Sequence, residues 1–181
     1  MIKKLTLIIG FIICLSSCGK DYVYRIEGEL SNLEDQTVYA VFEKDNYKVV
    51  DTVACTKPGQ FQIDQHEAGF HCVTIFFADK EHWVTAYLEP GETVKITGDA
   101  NSPLLLQVKG GRTNDKLAAF KKKIAPLLTE LTNLSNSLNS KDLNDTIEET
   151  DIAARLANVN MQLSEEAIRY VRTRMKRHPL S

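Results

Sequence analysis

The hydrophobic period of the chain changes at Gly110-Gly111, which restricts it to a β-rich unit followed by helices. Up to Val108 the apolar residues alternate with polar ones or gather in short β-branched runs, and a two-residue period fits extended backbone with one buried face. The clearest runs cover residues 22–26 and 37–42; others cover 47–53, 60–63, 70–77, 82–88, 93–97 and 104–108. Turn-forming residues separate them, at Asp45-Asn46, Lys57-Pro58-Gly59, Asp79-Lys80, Pro90-Gly91 and Asn101-Ser102-Pro103. About eight strands at roughly ten-residue spacing predict a mainly β fold with added α structure, an antiparallel β-sandwich or small barrel over residues 22–109. No helical stretch intervenes that could serve as the crossover of a parallel sheet.

Beyond the glycines, Leu117, Phe120, Ile124, Leu127, Leu131, Leu134 and Leu138 recur at intervals of three and four, one stripe of a helix. Thr113 or Asn114 can cap its start, Asp115 suits the positive end of the dipole, and Pro126 predicts a kink. After a polar stretch over 136–145, a second stripe runs through Ile152, Leu156, Val159, Leu163, Ala167, Val171 and Met175. Two successive stripes of this kind cover each other as a C-terminal two-helix hairpin, residues 110–178, followed by a short end at 179–181.

The N-terminus belongs to targeting. Lys3 and Lys4 precede an apolar run from Leu5 to Ile13, which is shorter than the ~20 residues of a membrane-spanning helix and the length of an export-signal core. Leu15-Ser16-Ser17-Cys18 follows and resembles a lipobox. The expectation is a signal peptide over 1–17, acylation of Cys18, a polar tether over 18–21, and a domain held by lipid in the cell envelope, at the outer membrane. Loss of Lys3 and Lys4 takes the 22 basic residues to 20 against 24 acidic ones, so the exported part carries −4. That balance argues against nucleic acid as a partner, since nucleic-acid binding needs a basic face.

The sequence carries no recognisable catalytic or metal-binding pattern. Cys55 and Cys72 stand 17 residues apart without a Cys-x-x-Cys arrangement, which leaves buried free thiols or a structural disulfide. His66, His71, His82 and His178 lack ligand spacing, so no metal and no other cofactor is expected. Glu27, Glu29, Glu34 and Asp35 suit the solvent side of a strand and its turn, and no serine lies in a Gly-x-Ser-x-Gly elbow. Gly110-Gly111-Arg112-Thr113-Asn114 precedes a helix and could cradle an anion, although a linker and cap explain it more simply. Basic residues from Arg169 to His178 complement the last helix dipole or form a cationic patch. Tyr47, Trp83 and Tyr87 could give a carbohydrate- or peptide-binding sandwich its contact surface, though aromatics in strands more often belong to the core.

Several of these pieces together resemble a known family. Tyr24-x-Ile26-x-Gly28-x-Leu30, Val38-Tyr39-Ala40, Val50-Asp51-Thr52, Gly59-x-Phe61, Leu88-Glu89-Pro90-Gly91-Glu92, Ile96-x-Gly98-Asp99 and Gly110 through Asn114-Asp115 are similar to the N-terminal domain of unknown function in lipoproteins of the Bacteroidota. The resemblance implies an accessory domain ahead of a thioredoxin-like domain of the thiol-disulfide oxidoreductase or peroxiredoxin type. The redox cysteines of such a neighbour have no counterpart among these residues. The expectations left open are a non-catalytic binding or positioning module, a piece of a tethered oxidoreductase, and a ligand-binding sandwich.

Overall fold

A computed structural model describes residues 22–33, 37–77, 81–139 and 146–177. The signal sequence, Cys18, Glu34, Asp35, the Asp79-Lys80 turn, His178 and the 179–181 end lie outside the described residues. Eight strands precede two helices: β1 (Tyr24–Ser31), β2 (Thr37–Lys44), β3 (Tyr47–Ala54), β4 (Gln60–Gln65), β5 (Cys72–Phe76), β6 (Trp83–Tyr87), β7 (Thr93–Asp99), β8 (Gln107–Lys109), α1 (Arg112–Asn139) and α2 (Thr146–Arg177). They form two four-stranded sheets, ordered β4-β1-β7-β8 and β3-β2-β5-β6.

The alternation in the sequence becomes two inner faces. Tyr24, Ile26 and Leu30 from β1, Val38, Ala40 and Phe42 from β2, Val73 and Ile75 from β5, and Val94 and Ile96 from β7 meet in one core. Burying such side chains is worth roughly 1.5–3 kcal/mol each, which is why a one-residue slip of any strand would be costly.

The expected antiparallel sandwich is present, with one parallel pair inside it. The pairing of β1 with β7 is parallel, in register from Arg25 opposite Thr93 to Ser31 opposite Asp99. No helical crossover is needed, because the connection from β1 to β7 passes through the second sheet and back. The run expected over 104–108 splits into a 3₁₀ turn, Pro103–Leu105, and the three-residue β8. Proline fixes the φ of the turn and cannot donate to a ladder.

α1 continues unbroken through Pro126. Its distal half packs on α2, where Leu134, Ile152 and Val159 are buried among Leu127, Leu131, Leu138, Leu156 and Leu163. Phe120 meets Tyr170 with ring centroids 4.4 Å apart. Ala167 and Val171, expected in this seam, are exposed instead. Each four-residue step turns about 40° beyond a full turn, so a stripe continued by fours winds away from α1 and the seam passes to Glu166 and Tyr170. No helix among the described residues is long and apolar enough to cross a membrane.

Candidate functional site

The two outer faces of the sandwich differ in chemistry. On the β4-β1-β7 sheet the outward residues are polar and mutually paired: Arg25 donates to both carboxylate oxygens of Asp64, at 2.6 and 2.7 Å, and Glu27 lies 3.7 Å from Lys95. On the other sheet the register lines up Thr52, Tyr39, Phe76 and Trp83 in one row and Val50, Val41, Thr74 and Thr85 in the next. Val50 is 63% exposed and Trp83 54%, and Trp83 contacts the Phe76 ring at 6.1 Å. Tyr87 and Tyr47 are also exposed, so all three aromatics lie outside the core that strand aromatics usually join. Trp83 and Tyr87 share one face of β6, whereas Tyr47 starts β3 at the opposite edge of the sheet.

β6 is the edge strand beside this face, and its backbone is only partly covered. Phe77 N–H donates to His82 O and Leu88 N–H to His71 O at the two ends of the β5–β6 ladder. Bonded and non-bonded pairs alternate in an antiparallel ladder. The N–H and C=O of Trp83, Thr85 and Tyr87 therefore point away from β5. Asn114, at the start of α1, takes those of Tyr87: its Oδ1 accepts the N–H at 2.9 Å and its Nδ2 donates to the carbonyl at 2.7 Å. The outward groups of Trp83 and Thr85 face a groove of about 380 Å³ between β6, the Pro103–Leu105 turn and α1. Leu104, Leu117, Phe120 and Ile124 give it apolar walls.

One cation stands in that wall. Lys121 Nζ donates to Leu106 O at 2.7 Å, and burial pushes the ammonium below the usual lysine range. No carboxylate of the described residues lies within ion-pair distance of it. Sequence reasoning missed Lys121 and Leu104, because a single lysine in a helical stripe carries no signal without knowing which strand edge lies opposite.

The start of α1 is occupied by the protein's own anion. Thr113 N–H donates to Glu89 Oε1 at 3.0 Å, and the backbone amides of Thr113 and Arg112 hold the Glu89 carboxyl below its usual range. Asp115 Oδ1 accepts the Gly110 N–H at 3.0 Å. The glycine-rich segment thus cradles Glu89 rather than leaving its amides to a ligand, and Asn114, expected as a cap, serves the strand edge.

Cys55 and Cys72 are free and half-buried. A bridge between them is ruled out by register: Cys72 lies opposite Glu43, whereas Ala54, the neighbour of Cys55, lies opposite Thr37 at the other end of β2. Six residues of strand span roughly 20 Å, well beyond disulfide reach. His71 Nε2 sits 3.2 Å from Asp45 Oδ1 on the surface, and among the described residues no three metal-ligating side chains gather.

No curated protein and no solved structure matches the chain. Residues 24–117 match a family model, Domain of unknown function (DUF4369), which spans the sandwich and the first turns of α1 including Glu89 and Asn114, and the chain belongs to that family.

Proposed function

We propose that this chain is a lipid-anchored, exported binding module, tethered through Cys18 at the outer membrane, which holds an extended apolar peptide with an acidic residue in the groove beside β6. The observation that carries the proposal is the outward N–H and C=O of Trp83 and Thr85 opening onto an apolar groove. An extended peptide adds to such an edge by main-chain hydrogen bonds, and alternate side chains enter the pocket alongside. Lys121 supplies the charge that an acidic side chain would meet. No step of covalent chemistry is assigned to the chain. Given the resemblance to domains that precede thioredoxin-like ones, a held peptide fits a module that positions substrates or a redox neighbour.

Trp83 is the chain's single tryptophan and lines the groove, so its fluorescence reports occupancy. An extended Val/Thr-rich peptide carrying one Asp should shift the emission, and the same peptide with N-methylated backbone amides should bind at least tenfold more weakly. Replacing Asp by Lys in the peptide should weaken binding to the native chain but not to Lys121→Met. Equal binding of the N-methylated peptide would refute strand addition, and a response to oligosaccharides alone would assign the groove to carbohydrate. The anchor is tested separately: Cys18→Ala should leave the chain in the soluble fraction, and undiminished membrane retention would refute lipid attachment.

A further inference from the structure

α2 carries a second, largely apolar stripe that none of the described residues covers. Ala157, Met161, Ser164, Ile168 and Val171 follow one another at steps of four and three, and all five are exposed. Met161 is 56% exposed, Ile168 52% and Val171 53%. At 100° per residue this stripe lies roughly 140° around the helix from the Ile152, Leu156, Val159 and Leu163 side that meets α1. Its spacing is the seven-residue repeat of a helix–helix seam. The Ser164 hydroxyl donates to Asn160 O at 2.9 Å, so no polar group in the seam is left seeking a partner.

The flanking charges select the occupant. Glu165 and Arg172 lie on the same border of the stripe, seven residues apart, and neither forms an ion pair among the described residues. Arg169, by contrast, is bound to Glu166 at 2.8 Å on the α1 side. We propose that the stripe is a self-association surface, on which a second copy of the chain packs its own α2 antiparallel about a two-fold axis near Ile168. That arrangement sets Glu165 of each copy against Arg172 of the other, and the same patch serves both subunits, as an isologous interface requires. A parallel pairing would leave both charges without opposite partners.

Cysteine cross-linking in cells expressing the full chain tests orientation and contact together, with the unsubstituted chain as background for Cys55 and Cys72. Ile168→Cys lies beside the axis and should give a disulfide dimer on oxidation. Ala157→Cys should not, because it sits about 17 Å from the axis along the helix and its mate about 35 Å away. Glu165→Arg should lower the Ile168→Cys dimer yield about tenfold by turning two attractions into repulsions, and adding Arg172→Glu should restore it. Equal cross-linking at Ala157, no dimer at Ile168 with the helical circular dichroism intact, or failure of the charge swap to restore pairing would each overturn the proposal.

Discussion

Asn114 satisfies both backbone groups of Tyr87 at once, accepting its N–H at 2.9 Å and donating to its carbonyl at 2.7 Å. A side-chain amide thus stands in for the next strand at one position of an otherwise open edge. The same Nδ2 donates to Gly110 O at 2.7 Å, and the residue is 2% exposed, so helix start, the Gly110-Gly111 pair and edge strand are joined at one residue.

Asn114→Ala should therefore cost about 2–4 kcal/mol, because it strands a buried N–H and two carbonyls rather than removing one exchangeable bond. Asn114→Asp should be no better, since it turns an oxygen toward two carbonyls. Urea unfolding measures the loss and hydrogen exchange at the Tyr87 amide localises it. A loss under 0.5 kcal/mol would show that the edge is held by something else.

Gly28 and Phe61 form a second coupled pair. They are direct partners across β1 and β4, and a Cβ added at Gly28 would lie 2.1 Å from the Phe61 ring. The ring occupies the space a side chain would take. Gly28→Ala should destabilise by about 1–3 kcal/mol through overpacking. Adding Phe61→Leu should cost less in that background than in the native chain, a coupling that thermal unfolding of the double-mutant cycle would resolve. Strict additivity would separate the two residues.

The sandwich was legible because its period of two survives any arrangement of the strands, and Gly28 and Gly59-x-Phe61 already appeared in the sequence as separate motifs. Their meeting was not legible, since it depends on which strands pair. The parallel β1–β7 contact was hidden for the same reason: the order of strands in a sheet is set by the second sheet's connections, not by any local pattern. The groove was the least legible part. Trp83 could be named as an aromatic contact, but its neighbours Leu104 and Lys121 come from a turn and from α1, whose stripe looks wholly internal to the hairpin although Leu117, Phe120 and Ile124 line the groove instead. The segment from Gly110 to Asn114 reads as a linker and cap in the sequence; that the anion at the helix start is Glu89, twenty-odd residues earlier, no local pattern could show.

The Glu89 carboxylate makes the start of α1 sensitive to acid. Backbone amides of Thr113 and Arg112 lower its pKa below the ordinary carboxylate value. A group with a depressed folded pKa stabilises fully above its unfolded pKa, near 4.3, and loses that contribution as pH falls through the folded value. Glu89→Gln should thus lower Tm at pH 7, and its deficit relative to the native chain should shrink as the pH drops below about 4. Thermal melts of both proteins from pH 3 to 7 measure the difference. A deficit constant across that range would mean that the charge is not what holds the helix start.

Cys72 offers a test of thiol chemistry that does not depend on any partner. Its Sγ lies 3.7 Å from Glu43 Oε2, and burial followed by the Glu43 charge pushes the thiol pKa up, while Cys55 is raised by burial alone. Reaction with iodoacetamide follows the thiolate fraction, so both residues should alkylate more slowly than free cysteine at pH 8 and reach the same rate once unfolded. Glu43→Gln removes the repelling charge from one thiol only, although it also releases Lys48, whose ammonium sits 2.6 Å from Glu43. Loss of the negative charge lowers the Cys72 pKa and keeps the neighbouring positive one, so labelling at Cys72 should accelerate while Cys55 stays unchanged. Site-resolved mass spectrometry reads both rates in one sample. Acceleration at both sites would trace the effect to general loosening of the sheet, and native-state labelling of Cys72 faster than free cysteine would place a reactive thiolate on the open face of the sandwich.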